Sequence, residues 1–366
     1  MLIKNSKRFT QILVATLAIC PALIQAAENG DQPITYKNEQ AIVFETMDGK
    51  TTDAFEGFIE VPENRANKNS RLIPVNYVRF PATGKKKGSP IIYLSGGPGG
   101  SGIMTAKYPR FRYPLFMALR EFGDVIALDQ RGTGASKPAL KCQSNQALPM
   151  TTVLTEPQIA TLYQLAANEC VNFWQKKGID VHGYTTVESA KDIDALREHF
   201  NEEKVTLWGI SYGSHLAFAS LKVMAGKIDK VIVASAEGLN QTVKLPFETD
   251  AYFGRLQQAI NTQPDSAKQY PDIKALIHRV HQQLVKQPML VKIPQKDGSE
   301  QEFLFQKYHM QILASAMISD PRRGVVHLLG LYHQLDAGSD IALLQVLKRG
   351  YFNGDKIYKY MYYLNF

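Results

Sequence analysis

The chain has 366 residues, of which 45% are hydrophobic, 21% charged and 10% aromatic. This balance, with 26 glycines and 18 prolines that follow no fixed period, excludes a disordered chain, a collagen, a long coiled coil and a polytopic membrane protein. The length allows two to three separate domains or one α/β core with an insertion, and we take the single core with one insertion as the simpler prediction.

The amino terminus has the layout of a secretory signal peptide. Three basic residues precede an apolar run over residues 9–24, and the small pair Ala26-Ala27 follows. We therefore predict a signal peptide over residues 1–26 and a secreted or periplasmic mature chain with no stable membrane span. The alternative, an uncleaved anchor, is disfavoured because the run is short and contains polar residues and Pro21. Cleavage would lower the formal net charge from +8 to +5, since no acidic residue is removed with the three basic ones.

The positive charge of the predicted mature chain is mild and dispersed. Its densest basic run, Lys85-Lys86-Lys87, lies between two strand patterns and has no aromatic neighbours. Such a run is typical of a solvated loop, so we expect no nucleic-acid partner.

Three cysteines are present. Cys20 belongs to the predicted signal peptide, which leaves Cys142 and Cys170 as an even pair in a compartment where disulfides persist. We expect these two to bond to each other, the alternative being two buried thiols. No Cys-x-x-Cys motif and no cluster of histidine with cysteine suggests a metal site.

Two kinds of strand pattern follow. Antiparallel strands are predicted by β-branched and aromatic runs that turn residues separate, at residues 41–44, 55–61 and 72–80. Compact apolar runs, of the kind that is buried on both faces of a parallel sheet, come next at residues 91–94, 125–128, 205–208 and 231–234. Helical patterns lie between these runs, at residues 159–174 and 185–200. Thr185 and Glu188 have the spacing of a capping box. Strands that alternate with helices predict a mostly parallel α/β sheet.

The pattern changes at about residue 245. Helical segments predominate from there, at residues 252–260, 273–285, 308–318 and 323–335. A hairpin is predicted to turn at Asp297-Gly298, and no further buried parallel strand is evident. We therefore assign residues 27–244 to the core and residues 245–366 to an incomplete helical insertion.

Residues 209–213 read Gly-Ile-Ser-Tyr-Gly, which fits the pattern Gly-x-Ser-x-Gly between a strand pattern and a helical one. A serine on a sharp strand-to-helix turn presents its hydroxyl above the sheet, and the two glycines let the backbone pass without clashing. The helix amino terminus behind the turn adds partial positive charge where an oxyanion would develop. Ser211 is therefore the candidate nucleophile, the alternative being a helix start built from small residues.

A glycine-rich run over residues 94–102 reads Leu-Ser-Gly-Gly-Pro-Gly-Gly-Ser-Gly and also follows a buried strand pattern. Its glycines let backbone N–H groups approach a ligand closely. The run also fits Gly-x-Gly-x-x-Gly, with Asp129 ending the next strand, so a dinucleotide-binding oxidoreductase is the remote alternative. We disfavour it because Pro98 lacks an N–H that a pyrophosphate would need and because Ser211 would have no role there.

A third element, residues 129–136, reads Asp-Gln-Arg-Gly-Thr-Gly-Ala-Ser and follows the strand after the glycine-rich run. Together, in this order and at these strand ends, the three elements resemble the proline iminopeptidase and tripeptidyl aminopeptidase family of α/β-hydrolase serine peptidases. The resemblance covers roughly residues 57–245, and the combination is far more specific than any one motif. It implies an α/β-hydrolase fold, a mostly parallel sheet with a mainly helical cap inserted over the active site.

The resemblance also implies the parts of the machinery. Ser211 would form an acyl-enzyme on the carbonyl of a short peptide or ester, and the backbone N–H groups of Gly97 and Tyr212 would form the oxyanion hole. Arg131 would be structural, and no cofactor would be needed.

Members of the family cleave short residues from peptide amino termini and often hold the free amine with carboxylates of the cap or of a strand end. Glu237, just after the strand pattern at residues 231–234, is the position we expect in that role, with Glu248 and Asp250 behind it. The alternative for each is an ordinary solvated carboxylate.

The family pattern continues with an acidic residue and then a histidine, each after a further core strand. Neither is found here, since Asp320, Asp336 and Asp355 follow no strand pattern. The histidines lie before the serine, one turn beyond it or in the helical insertion: His182, His199, His215, His278, His281, His309, His327 and His333. We expect none of them to activate the serine, because a base must lie within hydrogen-bond reach. The chain therefore resembles the first part of a longer hydrolase without its last core strands, and a catalytically dead or weak protein is the alternative to an active exported aminopeptidase.

Overall fold

The computed structural model describes residues 35–85, 87–136, 142, 144–241, 245–295, 297–318 and 324–348. The predicted signal peptide lies outside the described residues, and so do Cys20, Lys86, Asp320 and Asp355. Across the described ranges, no helix is both long enough and apolar enough to cross a membrane.

The first three strands form an antiparallel meander: β1 (Glu39–Glu45), β2 (Thr51–Pro62) and β3 (Leu72–Phe80). This confirms the antiparallel prediction. Gly49, at a φ of 81°, occupies the turn between β1 and β2, where a left-handed backbone favours glycine.

Four parallel strands continue the same sheet: β4 (Ile91–Leu94), β5 (Val125–Leu128), β6 (Val205–Ile210) and β7 (Ile228–Ala234). The strand order is β1-β2-β3-β5-β4-β6-β7, in which β4 pairs in parallel with both β5 and β6, and β6 pairs in parallel with β7. The predicted parallel sheet is thus confirmed. Because parallel strands end at the same edge of a sheet, the loops that follow β4 to β7 meet there.

Helices cover both faces of this sheet. One face carries α1 (Gly102–Ala106) and α2 (Arg112–Leu119), and the other carries α3 (Glu156–Lys176), α4 (Thr186–His199) and α5 (Tyr212–Met224). Side chains of β4 alternate between the two hydrophobic cores, since Ile91 and Tyr93 join the cluster under α2 while Ile92 and Leu94 join the cluster under α4 and α5. The central strands are therefore buried on both faces, as their uninterrupted apolar sequences predict.

The prediction of two buried faces is wrong for β7. Its side chains are half-buried or exposed, and Ile232 is 47% exposed. The reason is position: within the described residues β7 pairs with β6 alone, so one of its edges lacks a neighbouring strand.

The predicted capping box of α4 is only half formed. The Thr185 hydroxyl accepts the Glu188 N–H at 3.2 Å, but the Glu188 carboxylate binds Arg65 and Lys191 at 2.7 and 2.8 Å. Two cations outcompete one backbone N–H for that carboxylate.

The chain after residue 245 is mainly helical. It contains α6 (Pro246–Asn261), α7 (Pro264–Gln269), α8 (Ile273–Lys286), β8 (Met289–Pro294), β9 (Glu300–Phe305), α9 (Lys307–Ile318), α10 (Gly324–Asp336) and α11 (Ile341–Lys348). The predicted hairpin is β8 and β9, while α7 and α11 were not predicted. Phe305, Met310 and Leu328 belong to a hydrophobic cluster that is distinct from the two cores of the sheet. The boundary between core and cap stays a prediction.

The predicted disulfide between Cys142 and Cys170 is present, with a Cα to Cα distance of 5.5 Å. Both cysteines are buried in the core under α4 and α5. The alternative of two buried thiols is thereby excluded.

Candidate active site

Ser211 lies on a sharp turn between β6 and α5, with φ 55° and ψ −124°. A positive φ is costly for a residue with a side chain, by about 1 to 3 kcal/mol, so neighbouring contacts must hold it. The Ser211 N–H donates to the Ala234 carbonyl at 3.0 Å, which ties the turn to the end of β7. The Ser211 carbonyl accepts from Ser214 twice, from the N–H at 2.8 Å and from the hydroxyl at 2.6 Å. The strand-to-helix turn predicted from the sequence is therefore observed.

The glycines on either side of Ser211 are required by packing. A Cβ built on Gly213 would lie 1.9 Å from the Leu94 carbonyl oxygen, and one built on Gly209 would lie 2.3 Å from the Gly213 carbonyl oxygen. Both contacts are far shorter than carbon and oxygen allow. The turn is consequently pressed against the carboxyl end of β4, where the glycine-rich loop begins.

The glycine-rich loop adjoins the Ser211 side chain. A Cβ built on Gly96 would lie 3.1 Å from Ser211 Cβ and 3.6 Å from Ser211 Oγ. Gly97 and Gly99 have φ values of 129° and 103°, which residues other than glycine rarely adopt. Gly100 N–H closes the loop on the Gly96 carbonyl at 3.0 Å. The fold thus brings together the two motifs that are far apart in sequence.

Residues after β5 hold this loop. The buried Gln130 side chain donates from Nε2 to the Ser95 carbonyl at 3.0 Å. Asp129 accepts from the Ser101 hydroxyl at 2.6 Å and from the Ile103 and Ala135 N–H groups at 3.0 and 2.8 Å. Burial raises the pKa of Asp129 above its ordinary value. Because this carboxylate is used within the protein, it does not serve as the ribose-binding acid of the dinucleotide alternative.

Arg131 is fully buried and has the structural role expected of it. Its guanidinium forms two 2.6 Å hydrogen bonds to Asp192 and donates at 2.7 Å to the carbonyls of Glu63 and Gly183. The segment after β5 is thereby fixed to α4 and to the end of β2.

A cavity of about 460 Å³ opens beside Ser211. Its other lining residues come mainly from the turn after β7 and from α6: Ser235, Ala236, Glu237, Asn240, Gln241, Leu245, Glu248, Thr249, Tyr252 and Ile318. Two of the three carboxylates singled out in the sequence, Glu237 and Glu248, are in this lining, and Asp250 is not. The cavity thus combines the candidate nucleophile with two carboxylates and apolar side chains.

The side chain of Tyr212, the residue that directly follows Ser211, is subject to the negative charge of Glu237. Burial raises the pKa of the Tyr212 hydroxyl, the 3.0 Å hydrogen bond with Thr186 opposes the rise, and the negative charge of Glu237 adds to it. The half-buried Glu237 therefore acts on the residue that directly follows Ser211.

Among the described residues, no hydrogen bond joins Ser211 Oγ to a histidine or a carboxylate. His215 is not hydrogen-bonded to Ser211 Oγ. Its Nδ1 donates to the Gly238 carbonyl at 3.2 Å, and its ring stacks on Tyr212. Asp336, at the end of α10, binds Arg279 at 2.7 Å. That no histidine of this chain activates Ser211 stays a prediction.

A larger cavity, of about 950 Å³, borders Gly96 and Ile210 on the face that carries α1 and α2. Ser211 is not in its lining, whereas it lines the smaller cavity.

A serine held in a left-handed turn between a central parallel strand and a helix, with a glycine-rich loop from the neighbouring strand against it, is the construction that α/β hydrolases share. Residues 89–308 match the family described as the alpha/beta hydrolase fold. This match spans more than half of the 366 residues, and the chain belongs to that family.

Curated relatives are hydrolases and peptidases. The serine protease Hip1 of Mycobacterium tuberculosis (strain ATCC 25618 / H37Rv) is 30% identical over 190 residues, which cover 49% of this chain and 35% of that protein. The putative hydrolase YuaR of Escherichia coli (strain K12) is 28% identical over 253 residues, 63% of this chain and 47% of that protein. The tripeptidyl aminopeptidase of Streptomyces lividans is 25% identical over 186 residues, 49% of this chain and 34% of that protein. The resemblance seen in the motifs is confirmed, and the chain spans about a third to a half of the length of these relatives.

Proposed function

We propose that this chain carries the nucleophile of an exported serine hydrolase of the aminopeptidase type, which removes short residues from peptide amino termini through an acyl-enzyme on Ser211. The observation that carries the proposal is the shared cavity, in which Ser211 and the carboxylates of Glu237 and Glu248 line one space. The peptidase relatives support the same class of reaction.

In the proposed reaction the Ser211 hydroxyl oxygen attacks the carbonyl carbon and forms an ester bond. The carbonyl oxygen becomes an oxyanion, which the N–H groups of Gly97 and Tyr212 would stabilise. The hydroxyl proton passes through a base to the leaving amine as the peptide C–N bond breaks, and water then hydrolyses the ester. Within the described residues, no side chain that could serve as this base is hydrogen-bonded to Ser211 Oγ.

The carboxylates of the cavity explain why a free amino terminus would be preferred. Glu237 is half-buried, and attraction between its charge and a substrate ammonium is stronger there than in bulk water. Glu248, which is exposed, would contribute less because solvent and salt screen it. The apolar side chains of Leu245, Tyr252 and Ile318 would contact substrate side chains.

A second candidate is a hydrolase-like protein that binds peptides or esters but turns them over weakly or not at all. The absence of a histidine or carboxylate hydrogen-bonded to Ser211 Oγ in the described chain favours it. Loss of one triad member lowers turnover by several powers of ten and leaves binding and the oxyanion hole.

Labelling with a fluorophosphonate separates the candidates. We expect the 366-residue chain to be labelled at Ser211, and Ser211→Ala to abolish labelling. Ser235→Ala is a matched control, since Ser235 lines the same cavity and also has a positive φ, of 52°. Trialanine should compete with labelling better than N-acetyl-trialanine. An unlabelled wild-type chain would establish the second candidate, and labelling that survives Ser211→Ala would show that the nucleophile is another residue.

A further inference from the structure

The first turn of α5 is bonded directly to the turn that carries Glu237. The Ser214 hydroxyl donates to the Ser211 carbonyl at 2.6 Å and accepts the Glu237 N–H at 2.8 Å. Ser214 is 0% exposed, so water does not compete for either bond. One buried oxygen atom therefore bridges the backbone of the nucleophile and the backbone of the carboxylate residue.

The turn after β7 depends on such bonds for its position. Its residues from 235 to 241 are exposed or half-buried, so little apolar packing fixes them. Ser235 has a φ of 52°, a strained value for a side chain that is not glycine. The second side-chain bond from α5 is that of His215 Nδ1 to the Gly238 carbonyl, at 3.2 Å.

Ser214 is not needed to satisfy the Ser211 carbonyl. That carbonyl also accepts the Ser214 N–H at 2.8 Å, which a side-chain replacement would leave in place. The hydroxyl therefore makes one contact that the Ser214 backbone does not duplicate, the hydrogen bond that it accepts from the Glu237 N–H. The distinct contribution of the Ser214 hydroxyl is therefore to connect the turn that carries Ser211 with the turn that carries Glu237.

We infer that Ser214 is a positioning residue, which holds Glu237 at a fixed distance from Ser211 and so selects peptides whose free amine reaches Glu237 when their carbonyl reaches Ser211. The inference deepens the proposed function and rests on it for the role of Glu237. The hydrogen bond that it invokes can be measured without any turnover.

The first test is hydrogen exchange at individual amides. In the wild-type protein the Glu237 amide should exchange more slowly than the adjacent amide of Ala236, for which no hydrogen bond is seen in the described structure. Ser214→Ala should speed exchange at Glu237 by roughly tenfold, the worth of one ordinary hydrogen bond. Ser220→Ala is the matched control: Ser220 lies on the same helix, is also 0% exposed, and donates to the Leu216 carbonyl at 2.8 Å. Ser220→Ala should leave the exchange rate of the Glu237 amide unchanged.

The second test is binding of trialanine and N-acetyl-trialanine, measured by calorimetry in a Ser211→Ala background. Ser214→Ala should reduce the preference for the free amine severalfold, and Ser220→Ala should preserve it. Ser214→Thr, which keeps the hydroxyl, should restore both the preference and the slow exchange.

Two failures are distinguishable. If Glu237 exchanges as fast as Ala236 in the wild-type protein, or if Ser214→Ala matches Ser220→Ala in both tests, the positioning role is overturned. The comparison of exchange at Glu237 and Ala236 uses the wild-type protein alone, so it can be made even if Ser214→Ala does not fold. If the bond is present but the parent protein shows no preference for the free amine, amine recognition by Glu237 fails, and the selecting role of Ser214 fails with it.

Discussion

At residue 211 the backbone is held in a left-handed conformation by contacts on both sides, and the glycines of the turn make those contacts possible. Gly213 is the most demanding, because its Cα packs against the carboxyl end of β4, the strand from which the glycine-rich loop departs. A side chain at this position would separate Ser211 from the glycine-rich loop that adjoins it. The turn and the loop are therefore one structural unit, although more than one hundred residues lie between them in sequence.

Gly213→Ala tests whether close packing between the Ser211 turn and the end of β4 stabilises the protein. The new Cβ would meet the Leu94 carbonyl oxygen at 1.9 Å, so we expect a loss of about 1 to 3 kcal/mol in the free energy of unfolding, together with reduced fluorophosphonate labelling. Gly254→Ala, in α6, is the matched control: its Cβ would meet nothing within 4 Å, and better helix propensity should add up to about 1 kcal/mol. Urea unfolding of both variants checks the prediction, and equal stabilities would contradict it.

Local patterns of residues could be predicted, and contacts that depend on strand order could not. The serine turn followed from five consecutive residues, because glycine spacing and the strand-to-helix change are local. The bond from Ser214 to Glu237 joins residues 23 positions apart and exists because β6 and β7 are neighbours in the sheet. Ser214 directly follows the serine motif, and Glu237 was singled out for its place after a strand pattern, but neither local pattern predicted the hydrogen bond between them.

At the scale of elements, the carboxyl ends of the parallel strands bring the functional segments to one edge, and a buried ion pair fixes the segment after β5. Arg131 and Asp192 connect that segment to α4, with both side chains 3% exposed or less. The strand order also explains why the prediction of two buried faces was wrong for β7, which pairs with β6 alone within the described residues. An apolar sequence predicts that a strand is buried, but not whether the strand lies at the edge of the sheet. Burial on both faces needs neighbours on both sides, and the sequence of one strand does not contain that information.

Arg131→Lys tests the importance of this connection. A lysine cannot reproduce the two parallel bonds to Asp192 or the bonds to two carbonyls, so a buried carboxylate loses part of its pairing. We expect a loss of about 3 to 5 kcal/mol in the free energy of unfolding. Arg279→Lys provides the comparison, because Arg279 also binds an aspartate, Asp336, with two nitrogens but is 54% exposed, and its loss should be at most about 1 kcal/mol. Similar losses in the two variants would contradict the structural role of Arg131.

At the scale of the whole molecule, acid should destabilise the fold through a buried histidine of α9. His309 is 4% exposed, packs against Phe303 with ring centroids 4.7 Å apart, and accepts the Gln306 N–H through Nδ1 at 3.0 Å. Burial lowers its pKa to about 3. The unfolded chain binds this proton near pH 6.5 and the folded chain only near pH 3, so acidification between these values favours the unfolded state.

The expected slope is a loss of about 1.4 kcal/mol per pH unit below pH 6.5 from this group. His309→Asn keeps an acceptor near the position of Nδ1 but does not titrate, so the variant should show a correspondingly flatter slope between about pH 6 and pH 5. Urea unfolding at several pH values checks this, with the values at pH 8 as the reference for each protein. Parallel slopes for the variant and the wild-type protein would contradict the assignment.

We expect the Ser211 hydroxyl to face amide hydrogens of the glycine-rich loop. A crystal structure of the chain after reaction with a phosphonate would show this arrangement, because the phosphonyl oxygen mimics the oxyanion. We predict phosphorus bonded to Ser211 Oγ and one oxygen about 2.7 to 3.1 Å from the nitrogens of both Gly97 and Tyr212. An adduct on another residue, or an oxygen directed away from both amides, would show that Ser211 and these amides do not form the proposed site.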